Sequence, residues 1–306
     1  MFFHRAGMPA WMEILKRNLP QQTRERLFSL GSALGYAEGV FIGIAFGALL
    51  DSYHDAWKYL FFTGSLLGII SSYLQWHLPI RESDSPSPKK PELSLHTPKG
   101  KENYLLKPWK ESIALMKARP DFAHFQWGFM ACGFGIMLAQ PALPLFMNDG
   151  LQISYTDLAI AFSVCKALGF ILFSPFWTKG LSRLPLNHLS SLLFFSFGIF
   201  PLLLMFASLH IFWLFAAFFS YGIAQAGSKL LWHMSGPLFA HSENSSQFSR
   251  VNVMMVGIRG LIAPPLGALL CYLFGPLSAV IVAMLCCFYG NWLMLSPAPN
   301  KQPVSS

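Results

Sequence analysis

The stretch FSLGSALGYAEGVFIGIAFGALLD, residues 28–51, reads as one long apolar helix with a glycine at every fourth position. These helix-packing glycines are Gly31, Gly35, Gly39, Gly43 and Gly47. A glycine costs about 1 kcal/mol relative to alanine inside a helix, so a regular row of them needs a compensating role. Such a row forms a groove along one helix face, and we predict that another helix approaches closely there.

The composition places such helices in a membrane. Of the 306 residues, 54% are hydrophobic and only 12% are charged, whereas soluble domains carry about 25% charged residues. Several apolar runs reach the ~20 residues needed to cross a bilayer, and they lack the alternation that is typical of a membrane β-barrel. We therefore predict an all-α polytopic membrane protein with the lipid bilayer as its partner.

One polar stretch divides the apolar runs. Residues 81–120 form a predicted cytoplasmic linker, and its end, KPWKESIALMKARP, places Trp109, Ile113 and Met116 on one face of a short amphipathic helix at the membrane surface. The runs predict about eight transmembrane helices, over residues 29–50, 57–78, 123–147, 156–178, 188–208, 211–235, 251–273 and 276–296.

The distribution of lysine and arginine predicts the orientation of these spans. With the N-terminus inside, 18 of the 22 basic residues fall in cytoplasmic segments and only Lys58 falls in an outside loop. The other three, Lys166, Lys229 and Arg259, lie within spans. We therefore predict a multi-pass protein of the cytoplasmic (inner) membrane with both termini and the linker inside. The net charge of +8 is explained by these loops and does not indicate nucleic-acid binding.

An internal repeat supports a transporter architecture. When the chain is shifted by 220 residues along itself, 7 of the 23 positions from 28 to 50 are identical, including Gly47-Ala48-Leu49-Leu50 on Gly267-Ala268-Leu269-Leu270. Both segments follow a cytoplasmic loop that contains arginine and run from inside to outside. Internal repeats are a hallmark of secondary transporters.

Three motifs resemble those of the major facilitator superfamily. The glycine row, preceded by LPQQTRERLFS, resembles the motif of the family's fifth helix, and GIRGLIAPPLGALL (residues 257–270) resembles that of the eleventh. The segment SPFWTKGLSRLPLNH (residues 174–188) resembles the loop WGxLxDRxG between helices eight and nine: Trp177 and Arg183 match, whereas Ser182 and Thr178 replace an aspartate and a glycine.

This resemblance implies a bundle of two six-helix halves, of which the chain resembles the last eight helices. Residues 1–80 would be the remnant of an N-terminal half with two helices, and residues 121–306 a six-helix C-terminal half. The segment GMPAWMEILKRNLP, residues 7–20, resembles the cytoplasmic tail of the fourth helix. We therefore expect an incomplete front, explained by a separately encoded four-helix N-terminal partner, a wrong start codon or a frameshift.

Ionisable residues inside spans are costly in lipid and usually face a partner or the bundle interior. Glu38 lies near the middle of the first span and Lys166 near the middle of the fourth. In the family arrangement these helices are neighbours across the two halves. We predict an ion pair between them, with separate contacts to water or carbonyl groups and a proton-coupling role for Glu38 as the alternatives.

A polar stripe predicts the solute cavity. Tyr221, Gln225, Lys229 and His233 recur every four residues along one face of the sixth span. In the third span Gln126 and Gln140 share a face with Gly133 and Met137, and Pro141 and Pro144 break its outer end. The resemblance makes these helices seven and ten, which line the cavity. Polar bonding between helices is the alternative interpretation. Lys229, Arg259 and His233 favour an anionic or zwitterionic solute.

The sequence therefore predicts a secondary transporter that moves a small solute by alternating access. It shows no enzymatic constellation, no Walker A motif for ATP, and no cofactor or metal site; the five cysteines lie in apolar spans without a CxxC pair. The alternative is a non-transporting membrane scaffold or assembly subunit, or a decayed transporter fragment.

Overall fold

A computed structural model describes residues 38–77, 107–240 and 245–296. The described residues are 91% helical and include no strand. They belong to two compact units, which lie within Met1–Glu102 and Asn103–Ser306. The predicted all-α membrane architecture is confirmed.

The first unit contains two helices joined by a short turn. Helix α1 covers residues 38–52 and α2 covers Ala56–Trp76, with an ion pair of 2.8 Å between Asp55 Oδ1 and Lys58 Nζ at the turn. Along α2, Ser65 Oγ donates to the Phe61 carbonyl and Ser72 Oγ to the Gly68 carbonyl. These local bonds satisfy both hydroxyls within the helix, as an apolar environment requires.

The second unit contains the rest of the described helices. Its helices are joined by short connections, such as the single residue Gly275, whose φ of 82° lies in the left-handed region that favours glycine. The helices are α3 (Lys107–Ala118), α4 (Pro120–Ala139), α5 (Ala142–Leu145), which continues as a π-helix (Phe146–Gly150), α6 (Tyr155–Arg183), α7 (Leu186–Phe206), α8 (Phe212–Ala240), α9 (Ser245–Phe274) and α10 (Pro276–Leu295).

Five of the described helices are long and apolar enough to cross a membrane, namely α4, α6, α7, α9 and α10. Helices α2 and α8 have 21 and 29 residues but are more polar, and α1 is described only from residue 38. The number of eight transmembrane helices therefore stays a prediction.

Two sequence expectations about helix shape have different outcomes. The break near Pro141 and Pro144 is confirmed, because α4 ends at Ala139 and the chain turns before α5 begins. The shared face of Trp109, Ile113 and Met116 agrees with the observed helix α3, but the three side chains are not equally exposed. Trp109 and Ile113 are exposed, whereas Met116 packs against the core of the bundle.

Aromatic and aliphatic side chains fill the core of the second unit. Helix α10 packs on α4 and α7, α8 packs on α6 and α7, and α9 packs on α4. At the centre of one cluster Phe122 lies in edge-to-face contact with Phe248, and Phe125 lies beside Phe239. Because lipid tails are as apolar as these side chains, close packing rather than hydrophobicity holds such helices together.

Helices α6 and α8 approach each other backbone to backbone. A Cβ atom added at Gly222 of α8 would overlap the Lys166 carbonyl oxygen of α6, and one added at Gly169 of α6 would overlap the Phe219 carbonyl oxygen of α8. Both glycines are therefore required by the close approach of the two helices.

We predict that Gly222→Ala destabilises the protein, because the new methyl group meets a backbone oxygen that cannot rotate away. Overpacking of this kind costs about 1–3 kcal/mol, which we expect as a lower thermal unfolding midpoint in detergent. Gly257→Ala is the matched control, since no heavy atom lies within 4 Å of a Cβ placed there in the described structure. Equal midpoints for the two variants would contradict the close-contact explanation.

Candidate functional site

Two lysines of the second unit lie on the paired helices α6 and α8. Lys166 Nζ is 4.8 Å from the centroid of the Phe162 ring, and Lys229 Nζ is 5.0 Å from the centroid of the Phe170 ring. An aromatic face stabilises a cation that has lost part of its water, by up to about 2 kcal/mol. Both α6 and α8 therefore carry a cation that lies over a phenylalanine ring of α6.

The π-helical turn of α6 leads directly into Lys166. It covers Ile160–Cys165, and the Lys166 N–H donates to the carbonyl of Ala161, five residues earlier. π-Helical turns insert one extra residue into a helix and are frequent at functional sites. The turn contains Phe162 and so forms part of the geometry that places this ring beside Lys166.

Trp177 joins the C-terminal part of α6 to the middle of α8. Its indole Nε1 donates to the Ile223 carbonyl at 2.8 Å, and its side chain is 1% exposed. A Cβ atom at Gly227 would lie 2.6 Å from the indole ring, so this glycine provides the space for it. The tryptophan that matches the loop motif is thus a contact between helices. Ser182 is exposed, and its Oγ donates to the Lys179 carbonyl.

The polar stripe of α8 is buried at one end and exposed at the other. Tyr221 and Gln225 are half-buried, and the Tyr221 ring lies 4.8 Å from that of Phe200. Lys229 is exposed. His233 belongs to the same helix, but its side chain lies outside the described residues. The role of this stripe in lining a cavity stays a prediction.

An open groove lies along α6 beside the Lys229 contact. Its volume is about 510 Å³, and Phe170, the ring beneath Lys229, belongs to its lining. Hydroxyl groups and a cation also line it, through Ser174, Thr178 and Lys179. The groove therefore combines an aromatic surface with polar groups next to the Lys229 contact.

Gln126 is buried between α4 and α9. Its amide Nε2 donates to Asn252 Oδ1, and the two side chains are only 1% and 5% exposed. This contact corresponds to the alternative interpretation, polar bonding between helices. Gln140 lies at the other end of α4 and is exposed. The two glutamines are about 21 Å apart along the helix at 1.5 Å per residue, so they do not form one site.

Arg259 is bound to the backbone of α4. Its Nη1 donates to the Phe129 carbonyl at 2.9 Å, and its guanidinium carbon lies 5.1 Å from the centroid of the Phe129 ring. A Cβ atom at Gly133 would overlap the guanidinium, so this glycine leaves the space that Arg259 occupies. Arg259 is only 7% exposed. Its observed contacts join α4 to α9.

Asn252 was missed by the sequence analysis. It lies seven residues before Arg259, so both side chains face the same side of α9. A polar pair at this spacing in an apolar helix was the available signal. Within residues 38–77, 107–240 and 245–296, no group of three or more His, Cys, Asp or Glu residues could hold a metal ion.

Glu38 and the glycine row belong to the first unit. Glu38 is exposed and is the first residue that the structure describes. Gly47 is buried and Gly43 is half-buried, whereas a Cβ atom at Gly39 would meet nothing within 4 Å in the described chain. Gly31 and Gly35 lie outside the described residues. The pairing of Glu38 with Lys166 stays a prediction, because each unit is described by itself.

Long apolar helices with cations inside the bundle define a helical membrane protein of the transporter class. The family model described as Major Facilitator Superfamily matches residues 1–255. The chain therefore belongs to the major facilitator superfamily, and the resemblance read from the motifs is confirmed. No curated protein and no solved structure matches the chain.

We predict that Gly133→Ala breaks the Arg259 contact with α4, because the methyl group displaces the guanidinium from the Phe129 carbonyl. Hydrogen bonds to charged groups contribute about 1.5–3 kcal/mol, so the unfolding midpoint in detergent should fall. Gly260→Ala is the control, since a Cβ atom there meets nothing within 4 Å in the described structure.

A double-mutant cycle tests the mechanism of this effect. In an Arg259→Met background Gly133→Ala should lower the unfolding midpoint by less, because the guanidinium that the new methyl group would displace is absent. An undiminished cost would show that Gly133 serves some other contact.

Proposed function

We propose that this transporter of the major facilitator type moves a small anionic or zwitterionic solute by alternating access. The observation that carries the proposal is the two cations, Lys166 of α6 and Lys229 of α8, that each lie over a phenylalanine ring of α6. A groove with hydroxyl groups lies next to them. Cations at membrane depth usually line a path for charged substrates or pair with an opposite charge.

The charge balance of the predicted spans supports this solute class. Lys166, Lys229 and Arg259 lie within spans, whereas Glu38 is the one carboxylate near the middle of a predicted span. Arg259 is already bound to a carbonyl and an aromatic ring. A negatively charged group of the solute would be attracted to the ammonium group of Lys229, which lies over the Phe170 ring beside the groove.

The close packing of the second unit supports alternating access. Rocking of one half against the other requires that each half keep its internal contacts. The α6–α8 and α4–α9 contacts are internal contacts of this half. Glycines leave space for the neighbouring backbone at α6–α8 and for the Arg259 guanidinium at α4–α9. The long helices α4, α6, α7, α8, α9 and α10 form the proposed six-helix C-terminal half.

The remaining parts of the proposal concern topology and partner. We place the protein in the cytoplasmic membrane with its N- and C-termini and its linker inside, on the strength of the lysine and arginine bias. The proposed partner is a four-helix segment that completes the N-terminal half. Its support is the motif resemblance, in which residues 7–20 resemble the end of the family's fourth helix and the glycine row resembles its fifth helix.

A non-transporting scaffold is the second candidate, and one motif favours it. Ser182 stands where the family's loop has an aspartate, and Thr178 replaces a glycine. Solute flux into proteoliposomes separates the two candidates, because a scaffold gives no saturable flux with or without the four-helix partner.

We predict that Lys229→Gln weakens transport of an anionic solute at least tenfold in kcat/KM, because the variant loses the cation beside the groove. The measurement is initial flux into proteoliposomes that contain the complete transporter. Lys58→Gln is the control, as it removes an exposed lysine at the turn of the first unit that is not part of the groove lining. If both variants transport equally well, the Lys229 stripe is structural.

We predict that Glu38→Gln lowers the abundance of the protein in the membrane, since it leaves Lys166 without its proposed charge partner. The charge swap, Glu38→Lys with Lys166→Glu, should recover part of the loss, and quantitative immunoblotting of membranes measures both. A swap that is no better than the worse single variant rules out direct pairing.

A further inference from the structure

Helix α3 has two different long faces. Ser112 and Met116 lie toward the bundle, where Ser112 is buried and its Oγ donates to Met254 Sδ of α9 at 3.0 Å. The neighbouring part of the helix surface carries Trp109 and Ile113, which are 44% and 53% exposed. Packing within the second unit thus accounts for one face of α3 and leaves two large apolar side chains outside.

The exposed apolar side chains adjoin two lysines. On a helix with 3.6 residues per turn, Lys110 and Lys117 project beside Trp109 and Ile113, and both lysines are exposed. The acidic residue of this helix is directed elsewhere, since Glu111 forms an ion pair with Arg250 at the start of α9. The exposed side of α3 is therefore an apolar strip with a cationic border.

The contacts of α3 show at which end of the spanning helices it lies. Only Arg119 separates it from α4, and Arg119 Nη2 binds both Asp121 and the Phe239 carbonyl near the end of α8. The α3 helix thus lies where α4 and α9 begin and α8 ends. The ends of spanning helices are the level of the lipid headgroups.

We infer that the exposed side of α3 binds anionic membrane lipids, with Trp109 and Ile113 among the acyl chains and Lys110 and Lys117 at the headgroups. The lysines are seven residues apart, or about 10 Å along the helix axis, so each meets a different headgroup. Their long aliphatic stems allow the ammonium groups to reach the interface while the apolar strip is inserted. The inference rests on the proposed topology, in which the linker is cytoplasmic.

Tryptophan quenching by brominated lipids tests this binding without any transport assay. The protein is reconstituted in vesicles of phosphatidylcholine and phosphatidylglycerol, with bromine on the acyl chains of one lipid or the other. The fluorescence of Trp109 is obtained as the difference in tryptophan fluorescence between the wild-type protein and the Trp109→Phe variant. We expect brominated phosphatidylglycerol to quench Trp109 more strongly than brominated phosphatidylcholine at the same mole fraction.

The lysine variants locate the source of this preference. Each lysine near an anionic surface contributes about a fivefold preference for anionic lipid. The double variant Lys110→Gln with Lys117→Gln should therefore remove most of the stronger quenching by brominated phosphatidylglycerol. Lys179→Gln with Arg183→Gln is the matched control, because it removes two exposed cations at the end of α6. We expect this control to keep the preference.

Three results would overturn the inference. The first is equal quenching of Trp109 by both lipids, and the second is a preference that survives loss of both lysines of α3. The third is no quenching by either lipid, which would mean that water or a protein partner covers this face. None of these results bears on solute transport, so the proposed function would stand or fall separately.

Discussion

The close approach of helix backbones at glycine is the constraint on which the second unit depends. Lipid provides no hydrophobic force between apolar helices, so dispersion contacts and buried polar bonds must hold the bundle. Those contacts weaken steeply when helices move apart. At Gly169 and Gly222 the α6 and α8 backbones touch directly, and the indole of Trp177 closes the same contact near its end. The lysines and the groove beside this contact depend on it for their positions.

The cations of the predicted spans contact carbonyl groups and aromatic rings. Arg259 combines a carbonyl and a ring of the same residue, Phe129, and Gly133 leaves room for it. Lys166 and Lys229 lie over phenylalanine rings of α6. Such contacts replace part of the lost hydration without neutralising the charge. The proposed anion transport rests on Lys166 and Lys229 as the cations of the α6–α8 pair.

The difference between Arg259 and Lys229 shows the limits of reading a site from spacing. Both are basic residues in apolar helices, and the sequence analysis counted both toward a basic cavity. In the structure Arg259 is buried against α4, whereas Lys229 is exposed. Similarly, Gln126 bonds to Asn252, and Gln140 lies exposed at the far end of the same helix. A helix period assigns a residue to a face, but the neighbouring helix decides what that face meets.

The sequence by itself determined the class of the protein, the approximate positions of the described helices and the break before Pro141, because these depend on local properties. Hydrocarbon forces every backbone group to bond within its own helix, so apolar run length and proline positions suffice to predict them. Tertiary structure alone decided which glycines admit a neighbouring backbone, which cation is buried and which face of α3 is left exposed. These outcomes depend on pairs of residues far apart in the chain, such as Ser112 with Met254. A local sequence pattern cannot predict a contact between residues so far apart in the chain.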